Sequence, residues 1–226
     1  MISRFTEYLV EEQKEIFFAF GRMNPPTIGH EKLIEKLSKT AGGSAYRIYL
    51  SQSTDPKSNP LPYKEKIKTA RRMFPRHARG IILNNKLKTM LEVAVSLYNE
   101  GHQRITMVAG SDRVIEFKTL LEKYNGKKLR HGFYNFRSIN VVSAGQRDPD
   151  SEGVAGMSAS KMRESAGDND FRTFTQGLPK SFSNKNSKDL FNAVRKGMNL
   201  KPVKEWKHHI SLNTISENRE LYVAGV

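Results

Sequence analysis

Between residues 16 and 143, short apolar runs alternate with longer amphipathic segments, and this alternation most restricts the fold. Ile16–Phe20, Tyr46–Leu50, Gly80–Leu83, Ile105–Ala109 and Ile139–Ser143 are brief and mostly rich in Ile, Val, Phe or Tyr, as buried strands are. The intervening stretches have helical spacing: Ile28, Leu33, Ile34 and Leu37 in the first, then residues 63–74, 87–98 and 114–124. Gly42-Gly43, Pro75 and Gly101 end these segments. Strands alternating with helices predict an α/β fold: a doubly wound, mostly parallel five-stranded sheet with helices on both faces. In such sheets ligands bind at the carboxyl ends of the strands.

The first strand, loop and helix carry the most chemistry. Ile16–Phe20 breaks into Gly21-Arg22-Met23-Asn24-Pro25-Pro26, which cannot continue a strand, and a charged helix starts near Thr27-Ile28-Gly29-His30. The first turn of a helix presents N–H groups and the positive end of its dipole, which favours an anion there. Gly29 allows close approach, and His30 adds a donor.

Further along, a polar loop from Ser51 to Pro62 holds Lys57 and Asn59. Gly110-Ser111-Asp112 breaks the strand at 105–109 on the same predicted edge. The connection after Ser143 is long enough to signal function or disorder. It ends at Ser158-Ala159-Ser160-Lys161-Met162-Arg163, where Ser158 is a candidate N-cap. Arg163 follows Ser160 by three residues and so reaches back over the first turn.

With 226 residues and 37% hydrophobic content, the chain can bury one α/β core. The divisions expected are an N-terminal helix at 1–13, the α/β domain at 14–167 and a basic C-terminal helical or irregular extension at 168–226. Cysteine is absent, which excludes disulfides and thiolate metal sites. No run resembles a signal peptide or membrane span, so a soluble, cytoplasmic protein with no membrane partner is expected. The formal charge is +15, from 38 Lys and Arg against 23 Asp and Glu. Lys180, Lys185, Lys188, Arg195, Lys196, Lys201, Lys204 and Lys207 concentrate it near the C-terminus. That extension reads equally as a solvated tail or as a nucleic-acid patch.

Taken together, these segments resemble the nucleotidylyltransferase superfamily, with its [His/Thr]-x-Gly-His motif after the first strand and a late Ser-Ser-[Ser/Thr]-x-x-[Arg/Lys] motif. Thr27-Ile28-Gly29-His30 matches the first in its Thr form, and Ser158 to Arg163 matches the second with Ala159 in place of a serine. The lead Gly21-Arg22-Met23-Asn24-Pro25 resembles that of archaeal-type nicotinamide mononucleotide adenylyltransferases, and Gly110-Ser111-Asp112 resembles the family's Gly-x-Asp. The overall pattern is similar to cytidylyltransferase-like proteins of large tailed bacteriophages.

The resemblance implies a Rossmann-like domain that transfers a nucleoside monophosphate from CTP or ATP to a phosphate-bearing small molecule, releasing pyrophosphate. It implies catalytic roles for His30, Thr27, Lys57 and Arg163, and nucleotide contacts from Phe20, Gly21, Arg22, Gly29, Gly110, Asp112, Ser158 and Ser160. Mg²⁺ would arrive with the triphosphate, with no metal ligands from the protein. The alternative is a weakly active or inactive virion or DNA-associated protein that keeps the fold and binds nucleotide. Leu9-Val10-Glu11 and Ile215-Ser216-Glu217 resemble sites cut by phage head-maturation proteases, which points to that alternative and to host cytoplasm or virion as location.

Overall fold

A computed structural model of the chain describes residues 14–145 and 157–204. The helix expected at 1–13, the two candidate cleavage tripeptides and most of the long connection after Ser143 lie outside the described residues.

The elements run β1 (Glu15–Gly21), α1 (Ile28–Ala41), β2 (Tyr46–Leu50), α2 (Tyr63–Met73), α3 (Met90–Asn99), β3 (Arg104–Ala109), α4 (Val114–Tyr124), β4 (Ser138–Ser143), α5 (Ala159–Gly167), α6 (Phe171–Thr175) and α7 (Asn184–Gly197). The four strands form one parallel sheet in the order β2-β1-β3-β4. The chain therefore winds outward from β1 to β2, then crosses back to β3 on the other side. That reversal opens a crevice at the carboxyl ends of β1 and β3.

Alternation along each strand divides two apolar layers. On one face Ala19, Ile48, Leu50 and Val108 meet Ile34 and Leu37 of α1 and Ile67, Ala70 and Met73 of α2. On the other, Ile16, Phe18, Tyr49, Ile105 and Met107 meet Val93, Ala94 and Leu97 of α3 and Leu121 of α4. Helices therefore cover both faces, as expected.

The sheet has four strands, not the five expected. Gly80–Leu83 does run beside β2, but only Ile81 bridges to Ile48, with the Ile82 N–H donating to the Ile48 carbonyl at 2.9 Å. A 3-10 turn, Pro75–Gly80, uses the residues before it, and the Ile81 carbonyl receives Nε and Nη2 of Arg71 at 3.1 and 2.6 Å. Ile81 therefore turns its carbonyl away from β2, and the Ile82 carbonyl, which a longer ladder with β2 would use, receives the Tyr63 hydroxyl at 3.3 Å; Leu83 is already solvent-exposed.

The region after Gly167 packs on the domain. Phe174 of α6 and Leu190, Phe191 and Val194 of α7 join the same buried cluster as Ile34 and Leu37. Ser183 caps α7 by accepting from the Asn186 N–H at 3.3 Å. At its other end Gly197 lies against Pro60: an added Cβ would sit 1.9 Å from the Pro60 carbonyl oxygen. The basic residues up to Lys204 therefore decorate an integral part of the core layer. No helix among the described residues is long and apolar enough to cross a membrane.

Candidate functional site

The loop leaving β1 is fixed from below. The Gly21 carbonyl accepts from the Ser51 N–H at 2.9 Å, which joins the ends of β1 and β2. Asn24 is buried and pairs twice with Leu61: Nδ2 donates to the carbonyl at 3.2 Å, and Oδ1 accepts from the N–H at 3.0 Å. Met23 between them adopts φ 43°, an uncommon value for a side chain, and its buried side chain packs in the α1 and α2 layer.

Thr27, fully buried, is the N-cap of α1. Its backbone N–H donates to Nδ1 of His30 at 3.0 Å, and its Oγ1 lies 2.9 Å from the same nitrogen. A backbone N–H can only donate, so Nδ1 is an acceptor and the imidazole carries its hydrogen on Nε2. The Thr27 hydroxyl is then a second donor to Nδ1. Two N–H groups of this helix start already have partners: Ile28 donates to the Gly177 carbonyl and His30 to the Thr27 carbonyl, both at 2.9 Å. The open anion site expected from the sequence is therefore narrower, and side chains must supply more of its donors.

Glycine at two positions here answers no demand of the fold. Around Gly21 an added Cβ meets nothing within 4 Å, and around Gly29 it meets Thr27 Oγ1 at an ordinary 3.5 Å. Neither residue has a positive φ. Both keep space open at the end of β1, whereas Phe20 just before them packs into the α3 and α4 layer.

The loop after β2 forms a small closed turn. Asp55 Oδ1 accepts from the Ser58 N–H at 2.6 Å and Oδ2 from Asn59 Nδ2 at 2.5 Å, while the Asp55 and Asn59 backbones exchange two hydrogen bonds. Those bonds hold the Asp55 carboxyl below the usual carboxylate range, led by the Ser58 N–H. Lys57 stands exposed at the tip, and Asn59 Oδ1 is buried with no partner among the described residues.

Lys66 of α2 is fully buried beneath both loops. Its ammonium donates to the Ser51 carbonyl at 2.5 Å and the Arg22 carbonyl at 3.2 Å. Burial, helped by the charge of Arg22, pulls its pKa down to about 8. The sequence reading did not single it out. The signal was there: Lys66 sits next to Ile67 and one turn before Ala70, on the face that α2 buries.

The start of α5 completes the arrangement. Ser158 caps the helix, its Oγ accepting from the Lys161 N–H at 3.1 Å. Arg163 reaches across to the two loops, with Nη1 donating to the Asn24 carbonyl at 2.7 Å and Nε to the Lys57 carbonyl at 3.1 Å. Nη2 donates to Ser160 Oγ at 3.0 Å. Burial lowers the pKa of Arg163, the nearby positive charge of Arg22 adds to that, and Asp55 opposes it. Arg22 is thus close enough for its charge to act on both Lys66 and Arg163. Arg22 is the exposed member.

The chain matches no protein-family model, and no curated protein matches it. Of the positions singled out in the sequence, Arg22, Lys57, Ser160 and Arg163 come together at the ends of β1 and β2, with Thr27 and His30 at the adjoining helix start. Gly110 and Asp112 lie at the end of β3, on the same edge of the sheet. There an added Cβ on Gly110 would meet Asp112 Oδ1 at 2.8 Å, so glycine lets that carboxylate fold back over it. No hydrogen bond or ion pair among the described residues joins Asp112 to the cationic group.

Proposed function

We propose that the protein is a nucleotidylyltransferase that transfers a nucleoside monophosphate from CTP or ATP to a phosphate-bearing small molecule. The observation that carries this reading is the link from Arg163 to Asn24, because it ties the Ser158–Arg163 helix start to the loop that leads into Thr27–His30. The cationic surplus at that junction and the unforced glycines at 21 and 29 suit a bound polyphosphate.

In this reading a phosphate oxygen of the acceptor attacks the α-phosphorus, and the bond from that phosphorus to the oxygen bridging to the β-phosphate breaks. Pyrophosphate carries away the electron pair. Negative charge grows on the leaving group, so the protein acts by holding donors in place. His30 donates from Nε2 to a phosphate oxygen, with the tautomer set by the Thr27 N–H. Arg22 and Lys57 neutralise the phosphates from the two loops. The hydroxyl hydrogens of Ser158 and Ser160 remain donors although both oxygens accept bonds within the chain. The β- and γ-phosphate oxygens would supply most ligands of Mg²⁺; among the described residues no cluster of three or more His, Asp or Glu side chains offers a cage.

A second reading, nucleotide binding without turnover, draws on the same geometry. Three Arg163 donors and the Ile28 N–H already have acceptors inside the protein. A panel of nucleoside triphosphates and phosphorylated acceptors, scored by pyrophosphate release, separates the two. Turnover that depends on His30 supports the transferase; thermal stabilisation by nucleotide with no pyrophosphate supports the second.

A further inference from the structure

The opposite edge of the sheet carries a basic, aromatic arm that the proposed reaction does not use. Between Lys123 and Arg137 there is no Asp or Glu, and Lys127, Lys128, Arg130, Phe133 and Arg137 are exposed. The segment is rigidly built. Leu129 and Gly132 exchange backbone hydrogen bonds of 3.0 Å, and the Gly126 N–H donates to the Tyr134 carbonyl at 2.8 Å. Asn125 pairs with both backbone groups of Phe136, and the hydroxyl of Tyr134 donates to the Leu121 carbonyl at 2.9 Å. Tyr134 and Phe136 are buried anchors. Gly132, at φ 115°, brings the turn against Val95.

This anchoring leaves Phe133 38% exposed, edge-on to Tyr98 at 5.8 Å, beside the basic residues. Among the described residues no carboxylate pairs with Lys127, Lys128 or Arg130; Glu92, the nearby acid, faces His131 and the N–H groups of Lys88 and Thr89. Arg104 at the start of β3 lies in register with Ser138 on one side and Glu15 on the other, which marks the limit of the positive surface. An acidic ligand with flat rings fits such a surface. A duplex would be read by an element that enters a groove, while a short turn offering one ring and several cations suits an unpaired strand.

We propose that the 125–137 arm docks single-stranded nucleic acid, with Lys127, Lys128 and Arg130 on phosphates and a base stacked on Phe133. The arm precedes β4 and lies at the amino ends of the strands, whereas the proposed transferase site lies at their carboxyl ends. The two proposals therefore stand or fall separately.

The test is fluorescence anisotropy of a labelled oligothymidylate with the full chain over a range of salt. The triple variant K127A/K128A/R130A is expected to bind at least about tenfold more weakly at low salt, with the logarithmic salt slope reduced by about 2. Phe133→Ala is expected to lose about tenfold with that slope unchanged. A control that removes as many exposed charges elsewhere, K36A/K39A/R72A, should bind within about twofold of the parent. Equal loss in the control, a neutral Phe133→Ala, equally tight binding of a duplex of the same length, or no binding at low salt would each overturn the proposal. Thermal unfolding of each variant shows that the exposed substitutions leave the fold intact.

Discussion

Nη1 of Arg163 donates to the carbonyl of Asn24 at 2.7 Å, across 139 positions of sequence. The same guanidinium holds Lys57 and Ser160, so one side chain sets the distance between two loops and a helix start. Lysine can satisfy only part of this planar fork. Arg163→Lys is expected to lower stability by about 1–2 kcal/mol and Arg163→Ala by about 2–3 kcal/mol in urea unfolding. Nucleotide-dependent thermal stabilisation should weaken in both. An Ala variant as stable as the parent would show that the three bonds are not formed in solution.

His30 has two separable tasks, accepting the Thr27 N–H at Nδ1 and donating from Nε2. Asparagine reproduces an acceptor near the Nδ1 position and nothing near Nε2. His30→Ala is expected to lose about 1 kcal/mol of stability and at least about 100-fold in pyrophosphate release. His30→Asn should recover most of the stability and none of the turnover. Recovery of turnover in the Asn variant would move the chemistry to another residue.

Gly197→Ala measures whether α7 belongs to the domain. In an exposed helix this change stabilises by up to about 1 kcal/mol. Here the new methyl would stand 1.9 Å from the Pro60 carbonyl oxygen, a backbone atom that cannot swing aside. Overpacking of this kind costs about 3 kcal/mol and overrides the helix preference. A lower midpoint in thermal unfolding is expected; an unchanged or higher one would mean that α7 detaches from the loop at Pro60.

The limits of the sequence reading follow from the same contacts. Short apolar runs mark β1 to β4 and helical spacing marks α1 to α4, because a strand covered on both faces is apolar throughout and each helix buries one stripe against the sheet. Ile81 and Ile82 have the apolar character of a strand, but the Ile82 carbonyl that a longer ladder with β2 would use receives the hydroxyl of Tyr63, 19 residues away. Ser187, Leu190, Phe191 and Val194 recur at helical spacing in α7, but among so many Lys residues nothing local announces that this face is buried against Phe174 and Ile34. At the candidate site the helix starts were legible through Thr27 and Ser158. The partners were not: nothing local to Ile28 announces Gly177, and nothing local to Lys66 announces the carbonyls of Arg22 and Ser51.

Lys66 gives a prediction in pH. Its ordinary value is 10.5, and in the folded protein burial brings it to about 8. Below about pH 8 the lysine is charged in both folded and unfolded chains, and the cost of burying the charge is constant. Between about 8 and 10.5 the folded chain gives up this proton while the unfolded chain retains it, so unfolding takes up a proton and stability rises with pH. The full contribution is on the order of 3 kcal/mol, reached only above the unfolded value. Other groups also titrate there, so the readout is the difference from Lys66→Met, which keeps the length of the side chain and cannot titrate. Urea unfolding at pH 7 and pH 10 should show the parent gaining relative to the variant as pH rises. Met also leaves the Arg22 and Ser51 carbonyls without their donor, a cost that does not change with pH and so shifts the two curves without altering their relative slope. Parallel curves for the two proteins would mean that the Lys66 ammonium is not desolvated between the loops.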